Sequence, residues 1–263
     1  MNGYDISWLN LFFGTLTLAI PILIFQYCKA GLTRQLLISF GRMIIQLLFV
    51  GMYLSVIFKL NLLWLNSLWV LIMMFAAAAT IIKRSELNSK IFLLPVTLGI
   101  VCDLLVNLGV YTLIVMPYDV FLNAGYMIPI IGMVVGNCIV NTIISLRTFV
   151  KSIRSGENEF RYRLICGGSR SEVVMPFIAE ALKTSFSPTI ASNATIGLIW
   201  LPGMMTGQIL AGNNPTQAIK YQMLIIISIF VGSVLTSFVS LLYCRKMIFD
   251  EYDVARGDVF AKK

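Results

Sequence analysis

The chain contains no histidine, and only 12% of its residues are charged. Without histidine, the commonest transition-metal ligand and the usual general base at neutral pH are both missing. Neither HExxH nor a Ser–His arrangement is possible, so hydrolytic chemistry of those kinds is excluded and the chain does not read as an enzyme. Five cysteines are present: Cys28, Cys102, Cys138, Cys166 and Cys244. None forms a CxxC pair, so neither a thiol-redox motif nor a disulfide framework is indicated. No GxxxxGK[ST] loop occurs. The nearest stretch, "GGSRS" at 167–171, lacks its spacing and its lysine. ATP is therefore not bound by this chain, and any ATP and magnesium would sit on a partner subunit. "MNGYDISWLN" has an acidic residue and no basic start, which argues against a removable signal peptide. No repeat at 20–50 residues and no low-complexity tract is visible.

What the chain has instead is apolar surface. Of its 263 residues, 58% are hydrophobic, against a charged share of about 25% in an average soluble domain. The apolar residues gather into blocks long enough to cross a bilayer. Blocks near 7–28, 36–58, 62–82, 91–116, 126–148, 188–210 and 221–244 predict an all-α integral membrane protein with about seven spans. The whole of 1–263 reads as a single transmembrane domain. All Lys and Arg residues but Lys59 and Lys220 fall at alternate loops or beside them. The positive-inside rule then places the N-terminus outside, near Asp5, and the C-terminus in the cytoplasm. The net charge of +8 is thus a topology signal and not a nucleic-acid surface.

One loop, 147–187, is long. Arg147, Lys151 and Arg154 share a helical face if the fifth span continues into the cytosol. Ser155-Gly156 breaks that helix. Glu157–Arg161 and Glu159–Arg163 follow in the favourable acid-first order. Gly167-Gly168 breaks the chain again. Ser169-x-x-Glu172 is a capping box around Arg170. Pro176 is expected to open the next helix, and Ser187-Pro188 the sixth span. Short helices with sharp elbows are predicted, suited to docking a cytoplasmic partner; a solvated connector is the plainer alternative.

Three spans carry polar pairs one turn apart: Arg42/Gln46, Asp103/Asn107 and Asn137/Asn141. Arg42 lies only about 10 Å into its span and can snorkel. Asp103 is near mid-span, where an ionised carboxylate costs roughly 2.5–3.5 kcal/mol. Asp103 is expected to pair with Arg42 or to share a cavity with it. Interhelical hydrogen bonding is the simpler role for the asparagines.

The stretches "GRMIIQLLFVG" (41–51), "GMVVGNCIVNTIISLR" (132–147) and "LPGMMTGQILAGNNPTQAIKYQ" (201–222) resemble the Fet-type iron-export ABC permease family. The plant aluminium-tolerance half-transporter permeases belong to the same group. The resemblance covers nearly the whole chain. It implies a bacterial inner-membrane or plasma-membrane permease in contact with lipid. It also implies pairing with a separate ATP-binding subunit and a second copy of itself, for export of iron or another metal. It implies that 147–187 couples to the ATPase, with Arg161, Gly168, Ser169, Arg170, Glu172 and Pro176 at the contact. A nucleotide sugar or other organic solute, a proton-driven secondary transporter using Asp103, and a non-transporting membrane anchor are the competing readings.

In 198–212, Met204 and Met205 are candidate metal ligands on a transport path. Adjacent helical residues sit about 100° apart, so both face one ion only if Pro202-Gly203 breaks the helix. The competing reading is structural. Gly203, Gly207 and Ala211 form a small-residue stripe for close helix approach, with Pro202-Gly203 as hinge. Gly207→Leu is expected to damage assembly, read as loss of the assembled complex on native gels. Met204→Leu is expected to leave assembly intact and to change transport only if the sulfur takes part.

Overall fold

The computed structural model describes residues 7–249, Trp8 by its backbone alone. Asp5 and the tail beyond Phe249 lie outside the described residues. The elements are helices: α1 Trp8–Thr15, a 3-10 turn Leu16–Leu18, α2 Ala19–Tyr27, α3 Thr33–Leu60, α4 Leu63–Ser85 and α5 Ser89–Val110. A π-helical turn Tyr111–Val115 and α6 Tyr118–Phe121 follow. The rest are α7 Ala124–Ser155, α8 Glu157–Ile165, α9 Arg170–Asn193, α10 Gly203–Leu210 and α11 Pro215–Met247.

The helix starts are written locally. Side chains of Asn88, Asn123 and Asn214 each accept a backbone N–H of the following first turn, capping α5, α7 and α11. Pro215 then occupies the first helical position of α11, where its missing N–H costs nothing. Asn61 ends α3 in the left-handed region at φ 42°, and its Oδ1 accepts the Ala124 N–H at 2.9 Å. One asparagine thereby stops one span and anchors another.

Six helical segments are long and apolar enough to cross a membrane: 9–27, 33–60, 63–85, 89–115, 124–155 and 215–247. They match six of the expected blocks. The expected sixth block, 188–210, is not one helix. α9 runs straight through Pro188 and ends at Asn193, the chain from 194 to 202 is irregular, and α10 is a separate eight-residue helix. Pro176 likewise lies inside α9 and opens nothing. The capping box at Ser169 has already started that helix, and the proline ring is tolerated on its exposed side.

The core sits where α4, α5, α7 and α11 meet, with α9 against α7. Contacts fix the directions. Pro95, Gly99 and Asp103 of α5 meet Ser240, Thr236 and Gly232 of α11 in reverse order, so these helices are antiparallel. Thr142 of α7 meets Ser237, and the α7 and α11 starts meet around Tyr126 and Ala218, so α7 and α11 are parallel. Ser145 and Asn141 of α7 meet Ser185 and Thr189, so α9 runs back along α7. By contrast, α2 buries no residue and α3 only Ile57. Tyr53 of α3 packs on Trp69 of α4, with ring centroids 4.4 Å apart.

The closest approach is between α5 and α11. A Cβ on Gly99 would lie 2.6 Å from the Thr236 carbonyl oxygen, and one on Gly232 would strike the Asp103 carboxylate. Gly99→Ala and Gly232→Ala should therefore each cost about 1–3 kcal/mol through forced separation. Gly109→Ala, on the same α5 but facing open space, should be neutral or slightly stabilising. Thermal melts of the purified protein in detergent check the contrast.

Candidate functional site

Two places carry the polar chemistry. The first is a buried seam between α5 and α11. Asp103 is fully buried. It does not pair with Arg42, which is exposed on α3, a helix that packs against α2 and α7. The expected ion pair fails because α3 stands at the edge of the bundle while Asp103 faces α11. Gln46 is exposed beside Arg42.

The carboxylate is satisfied by neutral donors instead. Asn107 Nδ2 donates to Asp103 Oδ1 at 2.6 Å, and Thr236 Oγ1 approaches Oδ2 at 3.5 Å. The i,i+4 reading of Asp103/Asn107 is thus correct in face and in contact. The seam extends along both helices. Thr236 Oγ1 also approaches the Gly99 carbonyl, and Ser240 Oγ the Pro95 carbonyl at 3.4 Å. Across α7 it continues through Thr142 Oγ1 to Ser237 Oγ at 3.2 Å, and through Ser145 Oγ, which donates to Ser185 Oγ at 2.7 Å. Asn141 Oδ1 accepts from Thr189 Oγ1 at 3.2 Å, whereas Asn137 is exposed and donates to its own turn at Met133. Glycine and hydroxyl side chains close over Asp103 on the α11 side, so in this conformation it fastens two helices.

Thr236, Gly232, Ser240 and Gly99 were not singled out from sequence. Their signal was present as two four-residue ladders, 95/99/103/107/111 on α5 and 228/232/236/240/244 on α11.

The second place is a cleft at the opposite end from the long loop. It has a volume of about 330 Å³ and is walled by Tyr126 and Pro129 of α7, Met204 and Gln208 of α10, and Gln217 and Tyr221 of α11. Gln217 and Tyr221 also line an adjoining cleft of about 410 Å³ that reaches Lys220 and Met116. Pro202 is buried and caps α10, and Gly203 is its first residue. Met204 and Met205 therefore stand on one intact helix, and only Met204 lines the cleft. Gly203 and Gly207 have no neighbour within reach of a Cβ, and Ala211 is exposed. The small-residue stripe has no partner within the described residues. Among them, too, no three His, Cys, Asp or Glu side chains gather as a metal site.

At the far end the breaks, ion pairs and capping box of the long loop lie where expected, but α9 is one long helix through Pro176 and Pro188. α7 continues to Ser155, and Gly156 breaks it. Arg161 and Arg163 pair with Glu157 and Glu159 at 2.7 and 2.6 Å. Gly167 takes φ 92°, and Gly168 packs so tightly that a Cβ would lie 2.9 Å from Val173. The Ser169 hydroxyl accepts the Glu172 N–H, and the Glu172 carboxylate accepts the Ser169 N–H at 3.0 Å. Aromatic rings hold the unit together. Phe160 stacks on Phe249 at 4.6 Å and meets Phe177 edge-on, while the Arg170 guanidinium lies 5.1 Å from the Phe249 ring centre. These phenylalanines were not legible as a group, because 160, 177 and 249 are far apart in the chain.

The hydrogen bonds from Ser169 hold the Glu172 carboxyl below its ordinary value. A lowered folded value means that the contribution is present above the unfolded carboxylate pKa and is lost as pH falls through the folded one. Hydrogen exchange at the first turn of α9 should therefore quicken as pH drops into the acid range, beyond the intrinsic trend. Ser169→Ala removes the hydroxyl donor and leaves the backbone one, so it should reduce that extra pH dependence and raise exchange at all pH values.

A family model described as "Uncharacterised protein family (UPF0014)" matches residues 8–249. The "UPF0014 membrane protein YjkA" of Bacillus subtilis is 32% identical over 88% of this chain and 90% of its own length. The "Probable iron export permease protein FetB" of Escherichia coli is 32% identical over 86% of this chain and 85% of its own. The "Protein ALUMINUM SENSITIVE 3" of Arabidopsis thaliana is 28% identical over 91% and 89%. No solved structure matches the chain.

Proposed function

The chain belongs to the UPF0014 family of membrane proteins, and from that premise we propose that it is the permease subunit of an ABC exporter. The E. coli relative is named as a probable iron export permease, which supports iron or another metal as cargo. The resemblance of the 201–222 stretch to that family is borne out by the match.

The observation that carries the reading is the ordered unit at the end of the bundle. α8, the capped start of α9 and the end of α11 are locked together by Phe160, Phe177 and Phe249. A flexible connector has no need of a capping box, two ion pairs and a stacked aromatic cluster. The same features suit a rigid surface that receives force from a separate ATP-binding chain, with Arg161, Gly168, Ser169, Arg170, Glu172 and Pro176 on or beside it.

The path of the chain supports seven crossings. α7 and α11 run parallel, so the chain between them must return. α9, the irregular 194–202 and α10 make that return as a discontinuous sixth span. The basic loops then lie on the cytoplasmic side, the N-terminus faces outward, and a second copy completes the transporter.

The outer cleft is the second part of the reading. Met204, Gln208, Gln217, Tyr126 and Tyr221 offer amides, phenols and one thioether but no carboxylate. Such a lining suits a chelated metal or a polar organic solute better than a bare hard cation, which favours oxygen anions. An organic solute is therefore kept as the alternative cargo. The experiment is affinity purification from native membrane followed by ATPase assay of the reconstituted complex with a panel of metals and nucleotide sugars. An ATP-binding subunit should co-purify, and cargo should raise its turnover several-fold. Transport that persists with no nucleotide-binding partner would overturn the proposal.

A further inference from the structure

The return span is broken inside the membrane. Thr189 lies beside Asn141 and Ser185 beside Ser145, so the antiparallel register carries α9's last residue, Asn193, to the level of Asn137. That level is the middle of α7's apolar stretch. α10 starts near the level of Ile130, because Met204 lines the cleft with Pro129 and Ile130. The nine residues from 194 to 202 thus cross about 10 Å of membrane depth without being helical.

Their backbone is poorly satisfied. Gly197 N–H donates to the Trp200 carbonyl, and the Leu198 and Ile199 amides bond to Thr195. The amides of Leu201 and Gly203 and the carbonyls of Ile196, Leu198 and Ile199 have no partner among the described residues. Irregular backbone is not found facing lipid, because each unpaired group costs several kcal/mol there. It occurs only against protein or along a water-filled cavity. The side chains decide between those two. Leu198 is 89% exposed, Ile199 78%, Leu201 52% and Trp200 44%, flanked by Ile190 at 56% and Leu210 at 69%. A cavity wall made of these would be poorly wetted. Lipid is excluded by the backbone and water by the side chains, which leaves protein.

We propose that 194–202 is the intramembrane contact between two copies of this chain, formed about a two-fold axis passing near Leu198. This deepens the proposed pairing of two permeases and rests on it. Three features fit that occupant. The patch has no charged side chain between Lys183 and Lys220, so it opposes itself without like-charge repulsion. The six large apolar residues, 44–89% exposed, make a patch on the order of the 800 Å² per partner that a standard interface buries. Gly203 and Gly207 leave the neighbouring face of α10 open, so another backbone can come close enough to meet the free amides. An ATP-binding partner works from the cytosol and cannot reach this depth.

The test is oxidative cross-linking in native membranes. Leu198→Cys and Ile199→Cys are introduced singly into a chain in which Cys28 and Cys166, both exposed, are serine. Leu113→Cys, 85% exposed on the π-helical turn, is the control. Most of the Leu198→Cys or Ile199→Cys chain should run as a disulfide-linked dimer, and the control should not. A membrane-impermeant maleimide that labels position 198 instead would show a water-lined path and overturn the proposal. So would a monomer whose position 198 reacts only with a lipid-soluble probe. Native mass spectrometry separates the two levels of failure. A dimer without the cross-link sinks this interface and leaves the pairing standing, whereas a monomer sinks both.

Discussion

Everything else in this bundle is arranged around the antiparallel approach of α5 and α11. Two ladders of residues four apart face each other, Pro95, Gly99, Asp103 and Asn107 against Gly232, Thr236 and Ser240. The glycines let the backbones come close, and the hydroxyls satisfy what the approach buries. In a bilayer the hydrophobic effect contributes little to helix association, since lipid is as apolar as leucine. Packing and short polar contacts must hold the helices instead. A carboxylate in that setting is tolerable only with donors around it, which Asn107 and Thr236 supply. Among the described residues the seam thus combines a close backbone approach at Gly99 and Gly232 with polar contacts.

The parts of the molecule that could be read from sequence are those specified within one or two turns. The Glu157–Arg161 and Glu159–Arg163 pairs, the Gly156 and Gly167-Gly168 breaks and the Ser169/Glu172 capping box need no tertiary knowledge. Six spans were legible for the same reason, because bilayer thickness converts directly into a run of apolar residues. The partnership of Asp103 with Asn107 was legible as an i,i+4 relation. Its partnership with α11 was not, since nothing in the chain says which helix a polar face will meet.

The errors have the same root. Arg42 looked like the counter-charge for Asp103 because both are intramembrane ionisable groups, but α3 stands outside the core and leaves Arg42 exposed. Pro176 and Pro188 looked like helix starts because proline is favoured at a first helical position, and Ser187 stands as a cap before the second. Both lie inside α9, whose start had already been set at Ser169. Pro176 is exposed near the α8 end of α9, whereas Pro188 lies deeper, where a proline frees one carbonyl that neighbouring helices can re-satisfy. Its value as punctuation is therefore weaker here than in water. The block at 188–210 was apolar enough to be one span, and hydropathy alone does not register that its centre is Gly197 at φ 85°.

The cleft and the aromatic unit lie at opposite ends of the same helix. Ala218 lines the first near the start of α11, and Phe249, just past its end, stacks on Phe160 in the second. Between them α11 is a single uninterrupted helix from Pro215 to Met247, about 50 Å at 1.5 Å per residue. It is pinned along its length to α5 and α7 by the hydroxyl and glycine contacts. In the proposed transporter, a movement imposed at Phe249 would pass along this rod as a shift or rotation of α11 against α5. The weakest contacts along that seam are the 3.4–3.5 Å approaches of Thr236 and Ser240, which small displacements make or break. Polar contacts of marginal length between small side chains are what a sliding interface requires. A tightly interlocked apolar one would resist the motion. The glycine and hydroxyl contacts that let the seam form in lipid are thus also the ones that such a shift would have to break and remake.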